Sequence, residues 1–145
     1  MHATSIYLLF NGTAEAAFTF YQQVFAAPLV GQVFRFGDIP ADAGAPPVAD
    51  DQKNLIMNIG MRIPGNVLLM ASDVAPGMGG PITVGTNVQI GLHADSREEA
   101  DAVYAALSDG GDAHMPMADQ FWGDYYGELT DRFGIVWLVF HNDES

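Results

Sequence analysis

The stretch "ADQFWGDYYGELTDRFGIVWLVFHN", Ala118 to Asn142, packs Phe121, Trp122, Tyr125, Tyr126, Phe133 and Trp137 among three glycines and the aspartates Asp119, Asp124 and Asp131. Such a mixture suits an active-site loop carrying acid/base groups, and equally the turns of a β-hairpin. Trp122-Gly123-Asp124 sets an indole beside a flexible point, suited to stacking on a ligand or to plugging a core or dimer seam. Asp131 in "TDRFG" fits a strand-to-strand turn, its carboxylate taking nearby backbone N–H groups while Gly134 turns left-handed.

Other polar residues stand at strand-like positions. Asn58 interrupts the apolar run "IMNIGM", either to orient a ligand or as a structural amide. Ser72-Asp73 ends another apolar strand, where Asp73 could bind a ligand, act as a desolvated base or simply cap a turn. The histidines are His2, His93, His114 and His141. None pairs at His-x-His or His-x-x-x-His spacing, so a hydrogen-bonded or exposed role is expected for each. No nucleophile–His–acid grouping, phosphate loop or zinc motif is present.

Composition narrows the classes. The chain has 145 residues, room for one domain or two small repeated modules, and its 49% hydrophobic content is that of a globular protein. It carries 18 acidic residues against 5 Lys and Arg, a formal net charge of −13, which repels nucleic acid and anionic membranes. The lack of cysteine excludes disulfides, thiolate metal sites and a cysteine nucleophile. Neither a signal peptide nor a membrane span is expected, and the default location is cytoplasmic.

The elements that must position these groups repeat. "TSIYLLF" reads as a strand closed by Asn11-Gly12, and "TAEAAFTFYQQVFAAP" as a helix capped by Thr13 and stopped by Pro28. "LVGQVFRF" reads as a strand, residues 37–53 as a loop, and "NLIMNIGMRI" and "NVLLMAS" as a hairpin. After a Gly/Pro-rich linker, 74–86, the pattern restarts. "NVQIGLHA" is a strand, "SREEADAVYAALSDGG" is a helix with a Ser96/Glu99 capping box, and three further strands follow. The two helices superpose at an offset of 83, matching Thr13 to Ser96, Ala17 to Ala100 and Tyr21 to Tyr104. The expectation is an α+β chain of two tandem βαβββ modules, about 1–73 and 87–145.

With "YLLFNGTAEAAFTFYQQVF", "VLLMASD" and "FWGDYYGELTDRFGIVWLV", this duplication resembles the PhnB-like branch of the vicinal oxygen chelate superfamily, which includes glyoxalase I, extradiol dioxygenases and bleomycin-resistance proteins. The resemblance covers nearly the whole chain. It implies sheets curled into a half-open cup, often in a homodimer. Some members of the branch are called methyltransferases, but no glycine-rich nucleotide loop follows a strand here. The superfamily usually uses a divalent metal held by His, Glu or Gln on cup-facing strands, and the matching positions are Ile6, Gln89 and Leu138. One weak oxygen ligand and two aliphatic residues do not hold a divalent ion, so no metal or other cofactor is expected.

Alternation supplies the remaining expectations. If Tyr7 and Leu9 face the helix as Ile90 and Leu92 do, then Ile6, Leu8 and Phe10 face the cup, joined by Leu138 and Phe140. Gln89 and His93 would be polar points on that floor, with Asn58, Asp73, Trp122 and Tyr125 around it. The leading reading is a metal-free protein that binds or sequesters a small, partly apolar molecule, cationic ligands suiting its acidity. The alternative is a metal-dependent lyase, isomerase or dioxygenase of the glyoxalase type, its ion held unconventionally by Gln89, His93 or His114. A structural dimer with a filled cup is the third.

Overall fold

A computed structural model describes residues 1–75, 77 and 79–144. The chain divides into two compact units, Met1–Thr83 and Val84–Ser145. Pro76 and Met78, within the expected linker, lie outside the described residues.

The first unit runs β1 (Ser5–Phe10), α1 (Ala14–Phe25), β2 (Phe34–Arg35), β3 (Ile56–Ile63) and β4 (Val67–Asp73). Its sheet has the order β1-β4-β3-β2, with β1 and β4 parallel and the other pairs antiparallel. The second unit repeats this with β5 (Ile90–His93), α2 (Arg97–Ser108), β6 (Asp112–Asp119), β7 (Tyr125–Thr130) and β8 (Val136–His141), in the order β5-β8-β7-β6. Two βαβββ units in an α+β architecture are therefore present. Both helices begin and end at the offset read from the sequence, Ala14 to Arg97 and Phe25 to Ser108.

Each helix buries one apolar face on its own sheet. Phe18 and Tyr21 of α1 and Leu107 of α2 are fully buried, as are Met61 and Leu69 in the first sheet and Leu129, Trp137 and Val139 in the second. Burying a side chain of this size contributes about 1.5–3 kcal/mol, enough to fix which face of each sheet is covered. At Gly127 a Cβ would lie 2.7 Å from Met117 Sδ and 3.0 Å from Tyr104 Cε2, so the missing side chain lets α2 settle onto β7. Among the described residues no helix is long and apolar enough to cross a membrane.

Local chemistry explains two departures from expectation. The Ser96 cap forms, its Oγ accepting from Glu99 N at 3.1 Å, and the Glu99 carboxylate reaches back to Asp95 N at 2.6 Å. Thr13, by contrast, makes no cap hydrogen bond, and Ala14 N donates instead to Asp73 Oδ1, 59 residues away, at 3.0 Å. "LVGQVFRF" is not a continuous strand. Gly31 takes φ +73° and breaks the extended run, leaving a bridge from Leu29 to Met61 and the two-residue β2.

Candidate functional site

The faces of the two sheets sort the candidate residues. In the parallel β1–β4 ladder Ile6 stands beside Leu69, Leu8 beside Ala71 and Phe10 beside Asp73. Paired residues share a face, and Asp73 bonds to the first residue of α1, so all of these look toward the helix. The expectation that Ile6, Leu8 and Phe10 lie on the open side is thus reversed: Tyr7 and Leu9 lie there, each 48% exposed. The reason is that β1 is apolar on both faces, so alternation cannot orient it. In β5, Ile90 and Leu92 do pack toward α2.

Asp73 is 3% exposed, and both its oxygens are engaged, Oδ1 by Ala14 N and Oδ2 by Ile56 N at 2.8 Å. It is a staple between helix and sheet. Asn58 pairs with Phe34 of β2 and lies on the face away from α1, half-buried. Tyr125 turns to the helix side of the second sheet, its hydroxyl donating to Asp101 Oδ1 at 2.6 Å and its ring lying 4.5 Å from the Arg97 guanidinium carbon. Asp131 forms the expected turn with Gly134 at φ +91°.

The face of the second sheet turned away from α2 gathers the rest. His93 and Leu138 share it with Phe140, Tyr126 and Glu128, following the ladders Gly91↔Leu138, His93↔Phe140, Tyr126↔Phe140 and Glu128↔Leu138, while Gln89 lies just before β5, outside the ladder. Their rings form a continuous row. His93 stacks on Phe140 at 4.7 Å with 6° between planes, Phe140 meets Tyr126 at 4.8 Å, Tyr126 meets Trp122 at 5.8 Å and Trp122 meets Phe121 at 5.2 Å. Gly91 makes room, since a Cβ there would come within 3.2 Å of the Phe140 ring. The Trp122 indole donates to Asp124 Oδ2 at 2.9 Å and stays 50% exposed.

A polar cluster adjoins the row. Tyr126 Oη donates to Glu128 Oε1 at 2.5 Å, and His114 Nε2 lies 3.4 Å from Glu128 Oε2. Burial and the neighbouring carboxylate push the Tyr126 phenol up to about 12, so it remains a donor at neutral pH. Glu128, absent from the residues singled out in the sequence, had a legible signal: in "YYGELT" the alternation sets Tyr126 and Glu128 on one face and Gly127 and Leu129 on the other.

Of the three positions matched to metal ligands, Ile6 and Leu138 carry no donor atom. Leu138 is aliphatic, Ile6 looks toward α1, and the Gln89 amide N–H donates to Thr86 O at 3.1 Å. Among the described residues no three of His, Cys, Asp and Glu come together as a metal-holding group. His114 and Glu128 alone leave an octahedral ion without a protein-held third ligand.

A second polar cluster lies at the start of α2. His141 offers Nδ1 to Ala94 O and Nε2 to Asp143 Oδ1, both at 2.9 Å, while Arg97 binds Asp119 at 2.6 Å and Asp143 at 3.4 Å. Both partners of His141 are acceptors, so imidazolium is favoured. The Ala94 carbonyl first, then Asp143, raises its pKa above 6.5. The hydrogen bond from His141 holds the Asp143 carboxyl below 3.8. The raised group stabilises the fold below pH 6.5 and loses that effect as pH climbs through its folded value. The lowered group stabilises above pH 3.8 and loses that effect as pH falls through its folded value. The melting-temperature gap between wild type and His141→Gln should therefore be widest between these limits and shrink toward alkaline pH. A gap independent of pH would contradict the pairing.

The whole arrangement has relatives. Protein YjdN of Escherichia coli (strain K12) is 28% identical over 140 residues, 93% of this chain and 92% of that protein. The crystal structure of protein PA1353 from Pseudomonas aeruginosa is 34% identical and matches 98% of both chains with a TM-score of 0.81. A PhnB protein structure from Bacillus cereus, 22% identical, matches 95% of this chain and 98% of its own at 0.72, a likeness of fold. The sequence model of the Glyoxalase/Bleomycin resistance protein/Dioxygenase superfamily matches residues 2–139, and the chain belongs to that superfamily.

Proposed function

We propose that the protein binds a small, partly apolar molecule on the aromatic face of its second sheet, without a metal ion. The observation that carries this reading is the row from His93 to Phe121, a run of rings ending in half-exposed Trp122 and exposed Phe121. Rings on a rigid sheet offer stacking surface at little entropic cost, and Glu128 and Tyr126 add directed polar groups beside them. Sequestration of a toxic compound is one form such binding takes. A metal-dependent lyase, isomerase or dioxygenase would need a further ligand beside His114 and Glu128. We further propose a homodimer, supported by half-exposed Tyr7 and Leu9 on the edge strand β1.

Thermal-shift screening against a panel of aromatic metabolites, antibiotics and divalent metals tests the reading, because a ligand of the native state raises the melting temperature. At least one flat organic compound is expected to do so. Trp122→Ala should then weaken its binding roughly 3- to 10-fold, the equivalent of about 0.5–1.5 kcal/mol for one lost ring contact. Stabilisation by a divalent metal at stoichiometric concentration, with no organic ligand, would overturn it.

A further inference from the structure

We propose that the aromatic face of the second unit selects organic cations, Glu128 taking the charged head and the rings of Trp122 and Phe140 the apolar part. This deepens the binding reading above and rests on it. The first support is charge distribution. Twelve of the eighteen acidic residues lie in Val84–Ser145, against only two of the five Lys and Arg, so this unit as a whole carries a field that attracts cations.

The second support is where those two cations are spent. Arg97 is engaged with Asp119, Asp143 and the ring of Tyr125 on the helix side. Arg132 binds the carbonyl and carboxylate of Asp109. Among the described residues of this unit, the only basic side chain paired with Glu128 is His114, at 3.4 Å, longer than a well-formed hydrogen bond. Tyr126 fixes Oε1, which orients the carboxylate, while Oε2 lies against His114; the Glu128 side chain is 29% exposed.

The third support is the wall itself. Aromatic faces carry negative quadrupoles that favour a cation over them, most strongly for Trp. An acid on the same face as such rings discriminates by charge as well as by shape. A neutral ligand would desolvate the carboxylate without adding a charge partner, and an anion would meet direct repulsion.

The test uses three soluble benzyl probes of different charge: benzyltrimethylammonium, N-benzylacetamide and phenylacetate. Their binding to the whole chain is followed by NMR titration and by quenching of Trp122. The cation is expected to bind about tenfold more tightly than the neutral probe, with phenylacetate weakest, the gap narrowing as salt is added. Glu128→Gln should abolish that gap. The salt dependence in wild type serves as the readout if the variant folds poorly. Equal binding of all three probes, still lost in Trp122→Ala, would overturn the charge selection while leaving the binding reading intact. Preference for the neutral or anionic probe would do the same. No binding by any probe would overturn both.

Discussion

Asp131→Asn is expected to cost about 2–4 kcal/mol, because a single carboxylate serves three donors in a buried turn. Oδ1 accepts from Phe133 N at 2.8 Å and Ile135 N at 3.0 Å, and Oδ2 accepts from Trp137 Nε1 at 2.9 Å. Asp131 is 3% exposed and Trp137 fully buried, so water cannot replace a lost acceptor. Asparagine keeps one oxygen and turns an NH2 toward either the indole N–H or the two turn amides, donor against donor. Asp131→Ala removes all three acceptors and should cost about as much or more, with the melting temperature falling on the order of 10 °C. Urea denaturation with tryptophan fluorescence measures both. A change within about 0.5 kcal/mol, the range of an ordinary surface substitution, would refute the role assigned to Asp131.

The second large effect concerns Asp73. Asp73→Ala strips acceptors from Ala14 N and Ile56 N, both on fully buried residues, and removes a carboxylate from the N-terminus of α1. Each unpaired buried donor costs about 1–3 kcal/mol, so a total near 3 kcal/mol is expected. Thr13→Ala provides the contrast. If Thr13 capped α1, its loss would cost about 1 kcal/mol; since it makes no such bond, the change should be close to neutral. Ser96→Ala, which does remove a cap, should lie between them. Equal losses at Thr13 and Ser96, with Asp73→Ala silent, would show that the staple carries no weight.

These cases show what kind of information a sequence holds. The helices were legible because their signals are local: apolar residues at three- and four-residue spacing, Ser96 before Glu99, Pro28 and Gly110 after the last turns. Asp131 was legible for the same reason, since its N–H partners Phe133 and Ile135 lie two and four residues ahead. The cap of α1 was not, because its acceptor comes from a strand 59 residues away. Strand facing was lost where local pattern is silent, in the two-sided apolar run of β1. It was kept in β5, where Ile90 and Leu92 alternate with Gly91 and His93.

The candidate site divides along the same line. The sequence by itself determined the duplicated βαβββ architecture, the acidity, and the presence of rings and polar groups near Trp122, His93 and Gln89. Tertiary structure decided which of them share a face. Leu138 drew attention as a position without a carboxylate, yet Glu128 lies directly across from it on β7, on the same side of the sheet. Cross-strand register brings that acid to Leu138 and His114, and register is set by which face each strand must bury against α2, a condition no short window of sequence contains.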